Sequence, residues 1–136
     1  MADVKISALP AVTVLDGTEP LPLVQSGVTK KATVSQVLTG QLITETGTTR
    51  TLSATDNGKI IYCTNGSAVT INCAAGLGVG FNVTIIQGGA GKVTVAPNSQ
   101  TLVSYSSLFS TMGQYAVISL IAPVANTFVA AGNLGV

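Results

Sequence analysis

Residues 58–96 constrain the fold of this chain more than any other segment, because short strand patterns alternate there with glycine-rich turns. In this segment Val69 and Ile71 alternate with Thr70, and such a period of two places one side of a strand in a core. Asn65-Gly66 and two glycine clusters further on are turn signals. We predict strands at Lys59–Cys63, Ala68–Cys73, Asn82–Gln87 and Lys92–Ala96. The segment therefore predicts a mainly β fold.

Charge is scarce and unevenly distributed. Charged residues make up 8% of the 136 residues, against about 25% in ordinary soluble domains. Lys92 alone lies beyond residue 59. Because a solvated surface needs more charge than this, we expect other copies of the chain to cover much of it in a homo-oligomer. The net charge of +1 gives no reason to expect binding to nucleic acid or to acidic lipid.

Seven or more short strands separated by turns predict an antiparallel β-sandwich or small barrel over residues 46–136. The apolar window Tyr115–Gly132 is interrupted by polar residues and Pro123, so we interpret it as two core strands around a turn rather than a membrane span. Further strands are predicted at Thr101–Val103, Gln114–Ile121 and Thr127–Ala131. The polar segment 41–51 is interpreted as a linker or hairpin into this domain.

Residues 1–45 are predicted to form a smaller docking module. Residues 1–15 form an extended N-terminal arm, or alternatively an edge strand of the same domain. Leu21–Val24 pairs with Val28–Lys31 as an edge hairpin, since Pro20 and Pro22 exclude a central strand. A short helix is predicted near 33–39, where Thr33 and Gln36 fit a capping box and a glycine follows.

The two cysteines, Cys63 and Cys73, are predicted to be free and buried. If their strands form a hairpin with matched apolar faces, the cysteines lie four positions apart, roughly 13 Å, which is too far for a disulfide. Free thiols suit synthesis in a reducing cytoplasm. The N-terminal residues also lack the apolar core of an export signal.

The sequence favours no catalytic, cofactor or metal site, and we interpret the protein as a non-enzyme. The absence of histidine excludes Ser-His-Asp and Cys-His nucleophiles and histidine metal sites. The acidic residues are scattered, without a close pair on one element. Residues 88–92, GGAGK, are not a phosphate loop, because Val93 follows Lys92 and Ile86 replaces the first glycine. Both glycine clusters are interpreted as turns.

Two segments resemble virion proteins of tailed bacteriophages. Residues 6–38, ISALPAVTVLDGTEPLPLVQSGVTKKATVSQVL, resemble an N-terminal module of phage tail-fibre and capsid-surface proteins. In that module ISxLP precedes a run matched here by Gly17, Glu19, Pro22, Val24, Gln25, Gly27 and Thr29. Residues 58–97 and 113–134 resemble a β-rich phage domain with the core VGFNVTIIQGGAG.

The resemblance implies a structural virion protein that forms a homotrimer. The two modules alone suit a capsid decoration (cement) protein that binds the major capsid protein at the virion surface and is made in the host cytoplasm. The alternative is a tail-fibre or head-fibre component or adaptor involved in host attachment, and a non-virion binding domain or enzyme is a third possibility. We expect the interface to use Val4, Ile6, Leu9, Val12, Leu21, Leu23, Tyr105, Phe109 and Tyr115.

Overall fold

A computed structural model describes residues 20–33 and 41–136. The chain divides into two compact units, residues 1–39 and 40–136. In the first unit, β1 (Pro20–Gln25) and β2 (Val28–Thr33) form an antiparallel hairpin. Ser26 and Gly27 both have positive φ, 54° and 75°, as a type I′ turn requires. The predicted edge hairpin is confirmed.

Two of the expectations for the N-terminal part concern residues that the structure does not describe. The arm predicted at residues 1–15 lies outside the described residues. So does the helix predicted near 33–39, apart from Thr33, which ends β2. The boundary predicted after residue 45 falls at the end of β3 (Leu42–Glu45), and this strand belongs to the second unit.

The second unit contains two sheets. The strands after β3 are β4 (Thr49–Thr51), β5 (Lys59–Cys63), β6 (Val69–Asn72), β7 (Asn82–Gln87), β8 (Val93–Ala96), β9 (Thr101–Ser104), β10 (Ser110–Thr111), β11 (Val117–Val124), β12 (Thr127–Gly132) and β13 (Leu134–Gly135). The six-stranded sheet has the order β3-β5-β7-β11-β12-β9, and the five-stranded sheet has the order β13-β10-β8-β6-β4. The predicted linker at 41–51 thus contains two strands.

Strands β3 to β8 form three coils of a β-solenoid. Each coil contributes its first strand to the six-stranded sheet and its second strand to the five-stranded sheet. Neighbouring coils pair in parallel, so that Ile61 lies beside Ile85 and Ile71 lies beside Val95. The same apolar pattern is therefore stacked one coil upon the next, and the buried rows of the two sheets enclose the core.

The strands after the third coil include an antiparallel hairpin, with β9 pairing in parallel with its second strand. β11 pairs with β7 and forms a hairpin with β12, which confirms the two core strands predicted in the window Tyr115–Gly132. Phe128 on β12 is fully buried and packs edge-to-face on Phe81, with ring centroids 6.4 Å apart. In the described part of the chain, no helix is long and apolar enough to cross a membrane.

The mainly β prediction is confirmed, but the antiparallel sandwich or barrel is wrong for the coils. The predicted hairpin between Lys59–Cys63 and Ala68–Cys73 does not form, because β5 pairs with β3 and β7, whereas β6 pairs with β4 and β8. Alternation of apolar and polar residues fixes which side of a strand is buried. It does not fix whether the next strand along the chain pairs with it or crosses to a second sheet.

Both cysteines are free and buried, as predicted, although the hairpin register used to infer this is wrong. Cys63 ends β5 in one sheet, and Cys73 directly follows β6 in the other. Burial in the apolar core raises the pKa of each thiol to about 11. At neutral pH both side chains are therefore un-ionised and act as small apolar core residues.

Candidate functional site

The outward side of the six-stranded sheet carries no charge at its strand positions, and we call this surface the uncharged face. On β11, Ile118 and Leu120 point into the core, which places Val117, Ser119 and Ile121 outward. The same alternation on the other strands gives the remaining outward positions. The uncharged face comprises Leu42, Thr44, Ile60, Tyr62, Asn82, Thr84, Ile86, Thr101, Val103, Val117, Ser119, Ile121, Thr127, Val129 and Ala131.

The strand register assembles the apolar members of the uncharged face into rows. Ile121 lies beside Val129, which in turn lies beside Val103. Tyr62 lies beside Ile86, which lies beside Val117. The exposed fractions of Ile121 and Val103 are 44% and 43%. Within the described residues, this sheet therefore carries apolar rows on its outer side as well as on its core side, and no described strand covers the outer rows.

The sequence itself indicates this face, although a search for strands with one apolar side does not find it. In the runs Ile60-Ile61-Tyr62 and Val117 to Ile121, apolar residues occupy both parities of the strand. Such runs are typical of strands covered on both faces. Our sequence-based set of interface residues included only aromatic and N-terminal residues and missed this face.

Of the three aromatic residues predicted at the interface, two are exposed. The Tyr105 side chain, just after β9, is fully exposed, and Tyr115 is 69% exposed. Tyr115 also has a positive φ of 66°, which is unfavourable for an aromatic residue, and its N–H donates to the Gln87 carbonyl at 2.6 Å. Phe109 is half-buried and packs against the core.

The predicted interface residues are not gathered in one place. Leu21 and Leu23 lie on β1 in the first unit, and Val4, Ile6, Leu9 and Val12 lie outside the described residues. Tyr115 lies near one end of the uncharged face, since the preceding Gln114 amide donates to the carbonyl of Gly88 at 2.7 Å. The ring of Tyr62 occupies the space that a Cβ on Gly88 would need.

The second glycine cluster forms a corner where one coil stacks closely on another. Gly91 is buried, and its N–H donates to the Asn65 carbonyl at 3.0 Å. A Cβ on Gly91 would lie 1.8 Å from the Ser67 carbonyl oxygen, and one on Gly89 would lie 2.2 Å from that of Asn65. The Lys92 ammonium contacts the main-chain oxygen of Val136. These glycines therefore serve the stacking of the corners, where only a residue without a side chain fits.

The comparisons with family models and with curated proteins identify no relative. No family model matches this chain, and none of the curated proteins matches it. In the described residues, no three histidine, cysteine or acidic side chains come together as a metal site would require. The resemblance to phage virion proteins therefore stays a prediction, and the proposals below depend on the geometry of the described residues together with that resemblance.

Two carboxylates that the sequence analysis treated as scattered meet at one guanidinium. Arg50 on β4 donates to Glu45 at 3.1 Å and to Asp56 at 2.6 Å. Asp56 closes a 3-10 turn (Ala54–Asp56) and accepts the Ser53 N–H at 2.9 Å in a capping box. The Ser-x-x-Asp spacing is the sequence signal for this cap. Because both carboxylates are paired with Arg50, this cluster stabilises the first coil and holds no free acid-base pair.

Stability is expected to fall in acid through Asp56. Burial by itself raises the pKa of Asp56, but the Ser53 N–H and Arg50 outweigh burial and lower this pKa below its ordinary value of 3.8. A lowered folded-state pKa means that the contribution is fully present above about 3.8 and is lost as the pH falls through the lower value. Urea unfolding from pH 6 to 2 measures this loss. Asp56→Asn is expected to flatten the curve, and an unchanged slope would contradict the assignment.

Proposed function

We propose that this protein is a structural component of a phage virion that binds the outer surface of the capsid as a decoration (cement) protein and acts as a homotrimer. The observation that carries the proposal is the uncharged face, a sheet surface with exposed apolar rows that no other described strand covers. Large exposed apolar surfaces are typical of proteins that bind other proteins. The resemblance of residues 6–38 and 58–97 to phage modules supplies the virion context.

The solenoid suits a role in which the protein carries mechanical load. Each of the three coils is bonded to its neighbour by parallel strand pairing, and the corners stack with direct backbone hydrogen bonds such as Gly88 N–H to Cys63 carbonyl at 2.7 Å. Such a body deforms little, so that forces at one surface are transmitted to another. A cement protein requires this property because it holds neighbouring coat subunits at fixed separations.

The separation of the chain into two units suits two binding tasks. In this proposal the first unit, which carries the phage-like run through Gly27 and Thr29, docks on the major capsid protein. The second unit joins the copies. Cementing then follows from binding linkage. A protein that binds only the expanded coat lattice stabilises that lattice, and the stabilisation grows with the ratio of the protein's concentration to its dissociation constant.

The test uses phage particles that lack this protein and full-length protein added back. We expect saturable binding to capsids and a higher temperature of DNA release, with cryo-EM density at fixed lattice positions. Antibody label confined to the tail would refute decoration and favour the fibre or adaptor role. Binding to neither capsid nor tail would refute a virion function altogether.

A further inference from the structure

We propose that the uncharged face is the surface through which copies of this chain bind one another. Only the number of copies in this inference depends on the proposed function. The argument that the face is an interface uses the geometry of the second unit alone. The occupant that we infer is a second copy of this chain: contact with the same face would close a two-fold dimer, and contact with an adjoining surface would allow the trimer of the proposed function.

The first argument is the contrast between the outer sides of the two sheets. On the five-stranded sheet, the outward row is Thr49, Thr70, Thr94 and Ser110, and the hydroxyls of the last two lie 2.9 Å apart. Hydroxyl groups are well solvated, so this side is compatible with water. On the six-stranded sheet one outward row also carries hydroxyls, at Thr84 and Ser119, but the rows on either side of it contain exposed isoleucine and valine. Water therefore disfavours exposure of the uncharged face much more strongly.

The second argument is area. Six strands about 4.8 Å apart, with strands of about 20 Å, cover a plane of roughly 500 Å². Side-chain relief raises the accessible area above that of the plane, and a standard interface buries about 800 Å² on each partner. The uncharged face together with the exposed Tyr115 at its end therefore approaches the area that a stable complex of two copies needs.

The third argument is charge, and it selects a second copy over a different protein. Surfaces that select an unlike partner usually present charges complementary to those of that partner. None of the outward strand positions of this sheet is charged. Two copies can therefore meet here without bringing like charges together and without burying an unpaired charge. A separate observation is the positive φ of Tyr115, 66°, which is a strained backbone conformation of the kind that clusters at binding sites.

The decisive experiment places carboxylates on the face. Full-length wild-type protein is expected to sediment at about 10 μM as an oligomer of the 13.6 kDa chain. The double variant Ile121→Glu with Val103→Glu is expected to sediment as a monomer, with a dissociation constant raised at least about 100-fold. Both side chains point outward, so circular dichroism should show an unchanged fold.

The matched control is Thr49→Glu, because Thr49 is exposed and lies on the outward row of the five-stranded sheet rather than on the uncharged face. This variant should remain oligomeric. An oligomer that survives the double substitution would overturn the inference, as would a monomeric wild-type protein. A wild-type dimer that the double variant dissociates would keep the face as the interface and refute the trimer of the proposed function.

A labelling experiment provides a readout that does not depend on disrupting the complex. The buried Cys63 and Cys73 thiols, with pKa values of about 11, should react slowly with maleimide. The thiol introduced by Ile121→Cys should also react slowly in the oligomer, at least about tenfold more slowly than that of Thr49→Cys on the other sheet. Equal rates would overturn the inference. Protection in a protein that sediments as a monomer would also overturn it and would assign the cover to the chain's own N-terminal residues.

Discussion

Replacement of Gly91 by alanine is expected to prevent the second and third coils from stacking. The new Cβ would lie 1.8 Å from the Ser67 carbonyl oxygen and 2.3 Å from its carbonyl carbon, and both are backbone atoms that cannot rotate away. Relief requires the two corners to separate, which breaks the hydrogen bond from Gly91 N–H to Asn65. We expect a loss of at least about 4 kcal/mol in the free energy of unfolding, a size reserved for severe lesions.

The control for this substitution lies in the neighbouring corner. Gly66 has nothing within 4 Å of an added Cβ, so Gly66→Ala should change stability by less than about 1 kcal/mol. Denaturant titration followed by circular dichroism measures both variants. A Gly91→Ala protein as stable as Gly66→Ala would show that the corners are not stacked as described.

Replacement of Arg50 by methionine is expected to have the second largest effect. Arg50 is the partner of Asp56, whose side chain is 2% exposed, and of Glu45. Removal of the cation leaves the Asp56 carboxylate buried without a counter-charge, and such a loss typically costs about 3–5 kcal/mol. The Arg50 Nε atom is itself a buried donor without a hydrogen-bond partner. Loss of the guanidinium removes this unsatisfied donor, so we expect a loss of stability near the lower end of that range.

The sign of a double substitution tests this explanation. Asp56→Asn removes the charge while its side-chain oxygen still accepts the Ser53 N–H that Asp56 binds at 2.9 Å. Arg50→Met combined with Asp56→Asn should therefore be more stable than Arg50→Met alone, by about 1 kcal/mol or more. If the effects simply add, the buried charge does not account for the loss.

Local signals predicted the elements whose partner is the next strand along the chain. The Ser26-Gly27 turn between β1 and β2 specified a hairpin, and residues 125–126 did so between β11 and β12. A two-residue turn brings the second strand back alongside the first, so that the two strands pair. The first coil was missed because Gln41 to Thr51 is rich in polar residues, and β3 and β4 are stabilised by pairing with the second coil rather than by their own apolar pattern.

For the uncharged face, the sequence indicated a chain with few charged residues and strands whose apolar residues point to both sides of the sheet. It did not indicate which strands share a sheet. Ile121 and Val103 are separated by 18 positions in sequence, yet β12 brings them into one row through Val129. Phe109 packs on the core, whereas Val117 and Ile121 of β11 face outward.

The sequence by itself determined the strand content, the buried side of most strands and the turns, because these depend on residues close together along the chain. It also predicted a turn at the GGAGK run, which lies between β7 and β8 in the structure. The tertiary structure alone decided that consecutive strands cross between two sheets and pair in parallel with the next coil. That choice depends on contacts between residues far apart in sequence, such as Gly91 against Ser67, which no local pattern encodes.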